Sequence, residues 1–338
     1  DLKKIKLEDA FLKILSSPNQ SNKSWVTDQF DQMVMTDTAQ RSGGDAAVIR
    51  IHKKDKAIAV TVDSSANYCK AHPLTGGRQI VCENWRNLIS VGARPIAITN
   101  CLNFGNPENL KIMGEFAECL IGIKEACEFL DYPVVSGNVS FYNGTNKKNI
   151  NPTPVIGGVG LIQDTQNQIN HLLKKEGNII LQVGKTFGHL YQSVFFKEIY
   201  SITEGPPPDV NLANEKSNGE TVLKLINNKL IASVHDISSG GLIVALAEMC
   251  LSSKHGLKVE KPSKLTNLME YYFGEDQGRY LLEIEPINLQ KVTRILNENN
   301  TFNESIATVQ KDNFEILNEL KININDLYKF NNKWYNNY

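Results

Sequence analysis

The tightest constraint on what this chain folds into is a pair of short apolar runs that each break at once into polar residues. Ile96-Ala97-Ile98-Thr99 runs into Asn100-Cys101-Leu102-Asn103, and Tyr132 to Val135 runs into Ser136-Gly137-Asn138-Val139-Ser140. Between them, after Pro107-Glu108-Asn109, Leu110, Met113, Phe116, Leu120, Ile123 and Cys127 recur at helical spacing. A strand, a helix with one apolar stripe and a second strand make an α/β unit, with both strands expected to be buried. Their polar ends are expected to form loops that bring Asn100, Asn103, Gly137 and Asn138 to one rim. Gly137 lets the backbone take a positive φ or approach a ligand closely. Asn138 and Ser140 supply neutral oxygens and donors. Such an end commonly presents phosphate or a hard cation, although strand-to-loop turns favour the same residues.

A chain of 338 residues is long for one core and implies two domains. A formal net charge of −1 gives no field for nucleic acid or an anionic membrane. No apolar run reaches a membrane span. The six cysteines form no C-x-x-C pair and sit mostly in apolar stretches, which fits reduced core residues of a cytoplasmic protein. The opening Asp1 suits a fragment or a processed product.

The first residues carry an amphipathic helix with Ile5, Phe11, Ile14 and Leu15 on one face, then a polar linker. Ala46–Ile51 and Ala57–Val62 flank a Lys-rich turn and predict a hairpin. Asp45, after Ser42-Gly43-Gly44, suits either a Mg²⁺ carboxylate or a turn. Asp63 closes a strand, where ligands often sit and where caps are as common. Thr75-Gly76-Gly77 opens a helix, and His72 before it stands alone in a loop. Asn143–Asn151 reads as a hairpin tip and Val155–Ile162 as a glycine-rich strand that permits close packing. A polar, helix-compatible stretch from Asp164 to Gly177 joins the domains.

In the second domain Lys185-Thr186 follows directly on Gly184, so the phosphate loop G-x-x-x-x-G-K-[ST] is excluded. His235-Asp236-Ile237-Ser238-Ser239-Gly240-Gly241 suggests a triad or a metal set. Adjacent residues of a strand point to opposite faces, however, which favours a turn leading into a helix. Glu275, Asp276 and Arg279 stand before another strand, and the tail from Ile322 reads as a terminal helix.

Five ordered blocks resemble the phosphoribosylformylglycinamidine synthases, in the C-terminal half of the synthetase subunit. They are Ser42–Ala47, Thr99–Glu108, Val134–Ser140, Pro152–Gly160 and His235–Leu242. The resemblance runs from about Asp31 to the end. It implies an α/β (α+β) fold, a PurM-like tandem: a mixed-sheet domain that pairs into a barrel-like dimer, then a C-terminal α/β domain. The expected divisions are a connector helix and linker at 1–24, an ATP-binding domain at 25–165 and a second domain at 166–338.

The resemblance further implies ATP-dependent amidation of formylglycinamide ribonucleotide (FGAR) to formylglycinamidine ribonucleotide (FGAM). ATP phosphorylates the amide oxygen and ammonia displaces the phosphate, so positioning and Mg²⁺ neutralisation carry the chemistry. Asn100 matches a nucleotide contact that is often Asp in the family. Gly137 matches an ATP contact, Asn138 a Mg²⁺ ligand and Ser140 a substrate contact. The family's catalytic histidines and main acidic metal ligands lie in its N-terminal half, so this chain is expected to need that half. The other implied partners are a glutaminase subunit and a small accessory subunit. Alternatives are a non-catalytic half holding an auxiliary nucleotide, and a sibling kinase or cyclo-ligase.

Overall fold

The computed structural model describes residues 4–146, 148–262 and 267–336. The first sheet comprises β1 (Thr38–Gln40), β2 (Ala47–Arg50), β3 (Ala57–Asp63), β4 (Arg94–Asn103), β5 (Val134–Ser140) and, after the tip hairpin β6 (Gly144–Thr145) and β7 (Lys148–Asn149), β8 (Thr153–Ile162). Its order is β1-β2-β3-β8-β4-β5, antiparallel except for the parallel pair β4–β5. The helix between those strands supplies the crossover that parallel pairing needs.

One face of this sheet is covered by α4 (Pro73–Ser90) and α5 (Leu110–Leu130), which follow α1 (Leu7–Leu15), α2 (Ser24–Thr27) and α3 (Ala66–Ala71). The other face carries exposed Ile49, Ile58, Val62 and Val159. Because β5 is the edge strand and one sheet face is uncovered, Val134 and Val135 are exposed, 71% for Val135, rather than buried as their sequence suggests. The expected loops are also strand. β4 continues to Asn103 and β5 to Ser140, because the ladder pairs Asn100 with Gly137 and Cys101 with Asn138. His72 caps α4 by accepting the Thr75 N–H at 3.3 Å.

The second sheet contains β9 (Ile179–Val183), β10 (Ser233–Asp236), β11 (Gly256–Val259), β12 (Tyr280–Ile284), β13 (Asn303–Gln310), β14 (Asn313–Ile316) and β15 (Leu320–Asn323). Its order is β10-β12-β9-β13-β11-β14-β15, with β11 and β14 parallel. β12 is buried on both faces, as covered sheets require. Leu282 and Ile284 pack in the core shared with the first domain, and Leu281 in the second core.

The second domain's helices are α6 (Val194–Tyr200), α7 (Leu212–Asn227), α8 (Gly241–Ser253), α9 (Leu268–Phe273), α10 (Pro286–Glu298) and α11 (Ile324–Asn336). α1 lies against α6, α8 and α11, with Leu7, Ala10, Phe11, Ile14 and Leu15 in the second core. The joining stretch 164–177 holds one short 3₁₀ turn, Thr165–Asn167, and is otherwise without helix. Ile169 and Leu173 are buried along it. α4 ties the halves together: it is buried against its own sheet and against α7 and β10.

Candidate functional site

Two places gather the polar residues that the sequence singles out. The first is the edge of the first sheet. Asn100 and Gly137 are register partners, and a Cβ added at Gly137 would collide with the Asn100 Oδ1. Gly137 is not among the positive-φ glycines, so close approach, not backbone freedom, explains it. Asn100 lines a groove of about 420 Å³ with Leu120, Ile123, Lys124, Cys127 and Tyr132.

Strand alternation divides the expected rim. Asn138 pairs with Cys101, one step along from the Asn100–Gly137 pair, so its side chain starts on the opposite face. Ser140 lies on the same face as Asn138, and its hydroxyl is 3.1 Å from the Asn143 amide nitrogen. Asn103 is committed to backbone, donating to the carbonyls of Cys101 and Thr153 at 3.1 Å each. One ligand reaches both Asn100 and Asn138 only across the open edge of β5.

The second place is the seam between the domains. Arg86 of α4 donates to Glu215 of α7 at 2.7 Å and to Gln277 at 3.2 Å, and its Nε lies 3.8 Å from Asp236. Burial works against the guanidinium's charge, but Glu215 and Asp236 more than offset this and hold its pKa above the ordinary value. Burial pushes the Glu215 carboxyl up, with Arg86 opposing.

His235 bridges the halves through its Nδ1, 2.6 Å from Asp45 Oδ1, while its Nε2 lies 3.1 Å from Glu248. Burial favours the neutral ring, but Asp45 and Glu248 outweigh it and keep the proton well above the usual histidine range. Asp236 Oδ1 is 4.0 Å from the same Nδ1. Alternation argues against His235 and Asp236 forming one ligand set, yet with Asp45 each offers a ligand atom within 4.8 Å of the others. Burial, then Asp45, raises the Asp236 pKa well above the carboxylate range. The His171 ring lies 5.2 Å from that of His235, tilted by 37°, and burial first and His235 second lower its pKa to about 4.

Beside this cluster, a cleft of about 340 Å³ opens between Ser64, Ser65, Asn67 and Glu83 of the first domain and Lys197, Ser238 and Ser239 of the second. Its wall includes Tyr68, whose hydroxyl donates to Glu275 at 2.7 Å. Glu275 also accepts the N–H groups of Val194 and Gly240, at 2.8 Å each. Asp276 accepts the N–H groups of Phe187 and Gly188 at 2.8 Å each, fixing the loop that the phosphate-loop spacing excluded.

Asp63 stands near this cleft at the end of β3, receiving Asn84 at 2.7 Å and Asn87 at 2.8 Å. Burial, then the Glu83 charge, raises its pKa to about 7. Sequence reasoning did not find Arg86, Glu215, Glu83, Lys197 or Glu248. The available signal was charge at positions inside apolar helix stripes, as in Ile80-Val81-Cys82-Glu83-Asn84-Trp85-Arg86.

Two family descriptions match: the N-terminal domain of AIR synthase related proteins over residues 43–162, and the C-terminal domain of the same proteins over 175–317. Among curated proteins, the phosphoribosylformylglycinamidine synthase subunit PurL of Pelagibacter ubique (strain HTCC1062) is 55% identical over 336 residues, 99% of this chain and 46% of that protein. The chain thus spans about half the length of the curated relatives it matches. Among solved structures, Thermotoga maritima PurL complexed with FGAR superposes with a TM-score of 0.76 at 16% identity, over 96% of this chain and 54% of that one. The same protein complexed with ATP gives a TM-score of 0.73 at 16% identity, over 95% and 52%. At that identity the likeness is one of fold.

Proposed function

Because the chain belongs to the AIR synthase related family and carries both of its domains, we propose that it forms one half of the synthetase subunit that amidates FGAR to FGAM in purine biosynthesis, using ATP. The observation that carries this reading is the identity with the Pelagibacter subunit along nearly the whole chain. The resemblance of the sequence blocks is the basis for assigning it to the C-terminal half, and a span near half of the relative's length is what one half would give. The missing half, a glutaminase subunit that releases ammonia and a small accessory subunit are the proposed partners, in the cytoplasm. No helix among the described residues is long and apolar enough to cross a membrane.

Asn100 and Gly137 are the proposed nucleotide contacts, and Ser140 a substrate contact. The bare Cα of Gly137 lets the Asn100 amide pack directly against it, which positions that amide at the proposed nucleotide edge. Asn138 offers a neutral oxygen, which fits contact with a Mg²⁺ already carried on ATP phosphates. That ion supplies charge neutralisation during phosphoryl transfer. The chain's own contribution is to hold the nucleotide and the amide oxygen in line. Asp45 belongs to the seam, whereas Asp63 lies in the same ladder row as Asn100, two strands away through Ile156. The uncovered face with Ile49, Ile58, Val62 and Val159 is the proposed surface for pairing with a second such domain into a barrel.

A second reading follows from the neutrality of this edge. Asn100, Asn138 and Ser140 bring no carboxylate, which suits an auxiliary nucleotide held for structure. The deciding experiment measures ADP release with FGAR, Mg-ATP and ammonium, from this chain alone and after adding the N-terminal half of the Pelagibacter relative. Turnover is expected only in the mixture, with Asn138→Ala and Ser140→Ala lowering it at least about tenfold. Turnover by the chain alone would overturn the incompleteness. Silence from an associated, folded mixture would overturn the synthetase reading. Nucleotide that co-purifies and is not consumed in an active mixture would identify the auxiliary site.

A further inference from the structure

We propose that Asp45, His235 and Asp236 form a divalent transition-metal site that clamps the two domains, with imidazole Nδ1 and one oxygen of each carboxylate as ligands. One ligand atom from each of the three lies within 4.8 Å of the others. Asp45 comes from the glycine loop of the first domain, whereas His235 and Asp236 end β10 of the second. The cluster therefore exists only when the halves are docked.

Three further observations point to a cation at this place. First, Asp45 Oδ2 is buried without a hydrogen-bond partner on a side chain 3% exposed, where an unmatched carboxylate oxygen is costly. Asp236 Oδ2 also lacks a hydrogen bond and faces the Arg86 Nε at 3.8 Å. Second, Glu248 sits 3.1 Å from the far ring nitrogen, Nε2. A carboxylate receiving the second N–H of a ligating histidine fixes the tautomer, and here it leaves Nδ1 for the metal. Third, the ring is over-supplied with negative partners: Asp45 and Glu248 both lie on one imidazole, so even a protonated ring leaves one of these carboxylates uncompensated.

The geometry needs little change. Ligand atoms around a tetrahedral Zn²⁺ stand about 3.3 Å apart, given bonds of about 2.0 Å. The 2.6 Å Asp45–His235 contact would open and the 4.0 Å His235–Asp236 separation would close, each by less than about 1 Å. One imidazole with two carboxylates suits Zn²⁺, Co²⁺ or Mn²⁺ better than the all-oxygen sets preferred by Mg²⁺ and Ca²⁺. A pocket of about 510 Å³ lined by Gly43, Gly44 and His171 opens beside the loop that carries Asp45. The Nδ1 of His171, buried and without a partner, lies 3.5 Å from where a Cβ on Gly44 would stand.

The test uses the whole chain stripped with EDTA and dialysed. It is titrated with ZnCl₂ by calorimetry and with CoCl₂ by visible absorption. Saturable uptake of one Zn²⁺ per chain is expected, with Co²⁺ giving the d–d bands of a low-coordinate site. Asp45→Asn and His235→Gln should each weaken Zn²⁺ binding by about 100-fold, and Glu248→Gln by about tenfold. Glu248 is half-exposed, so its variant should melt like the parent in EDTA and separate lost ligation from lost folding. Absence of saturable uptake by the parent chain would overturn the proposal. So would Zn²⁺ affinity unchanged in folded Asp45→Asn and Glu248→Gln.

Discussion

Arg86 and Glu215 meet at 2.7 Å with side chains 0% and 1% exposed, and this pair joins α4 of the first domain to α7 of the second. Neither charge has water to fall back on, so each depends on the other. The surrounding shell adds Gln277 and Asp236 on the Arg86 side. The junction is thus a fixed feature of the fold and not a sliding contact.

Removing one partner of this pair strands the other in the seam. Glu215→Ala is expected to lower stability by about 3–5 kcal/mol, the usual cost of an uncompensated buried charge. Urea unfolding followed by fluorescence checks it. A loss below about 1 kcal/mol would mean that water or Asp236 already compensates Arg86.

The Asp63 carboxyl gives a pH dependence with a definite sign. Its folded pKa of about 7 lies above the ordinary carboxylate value of 3.8, so the folded chain binds the extra proton between those values. Stability from this group is present at low pH and is lost as pH rises through about 7. Burial is the main cause and the Glu83 charge the next, with Arg86 opposing. Asp63→Asn removes the titration, so the stability difference between parent and variant should shift in the variant's favour between pH 5 and pH 8. The scale is about 1.4 kcal/mol per pKa unit. A difference independent of pH would show that Asp63 is ionised throughout.

Gly137→Ala tests the nucleotide edge. The added methyl meets the far end of the Asn100 side chain, which must turn away, and stands 3.0 Å from the Asn100 carbonyl oxygen. Stability should fall by less than about 1 kcal/mol, while Mg-ATP affinity should drop about tenfold, the value of one hydrogen bond to a charged group. Calorimetric titration beside a thermal melt separates the two effects. Unchanged affinity would remove Asn100 and Gly137 from the nucleotide site.

Asp276→Ala should free the loop at Phe187 and Gly188, whose N–H groups both end on this carboxylate. Losing these acceptors should cost about 2–3 kcal/mol and expose the exposed Phe187 segment to chymotrypsin. Limited proteolysis reads it out, and a cleavage rate equal to that of the parent would refute it.

Local pattern determined much of this protein. Helical spacing specified α5, although its buried face runs through Ile112, Cys119, Ile123 and Ala126 and leaves Leu110 88% exposed. Alternation specified β3 and a glycine-rich apolar run specified β8, because these signals depend only on residues a few positions apart. The glycine at 137 was also legible as a point of close approach. Tertiary structure alone decided which sheet face stays open, and so why Val135 is exposed although it reads as core. It also decided that the polar ends of β4 and β5 remain strand, since that depends on a ladder with a partner across the crossover. The seam is the clearest case. Asp45 and His235 are 190 residues apart and show no shared period or spacing. Their 2.6 Å contact arises only when two independently patterned domains pack around α4 and exclude water from the charges between them.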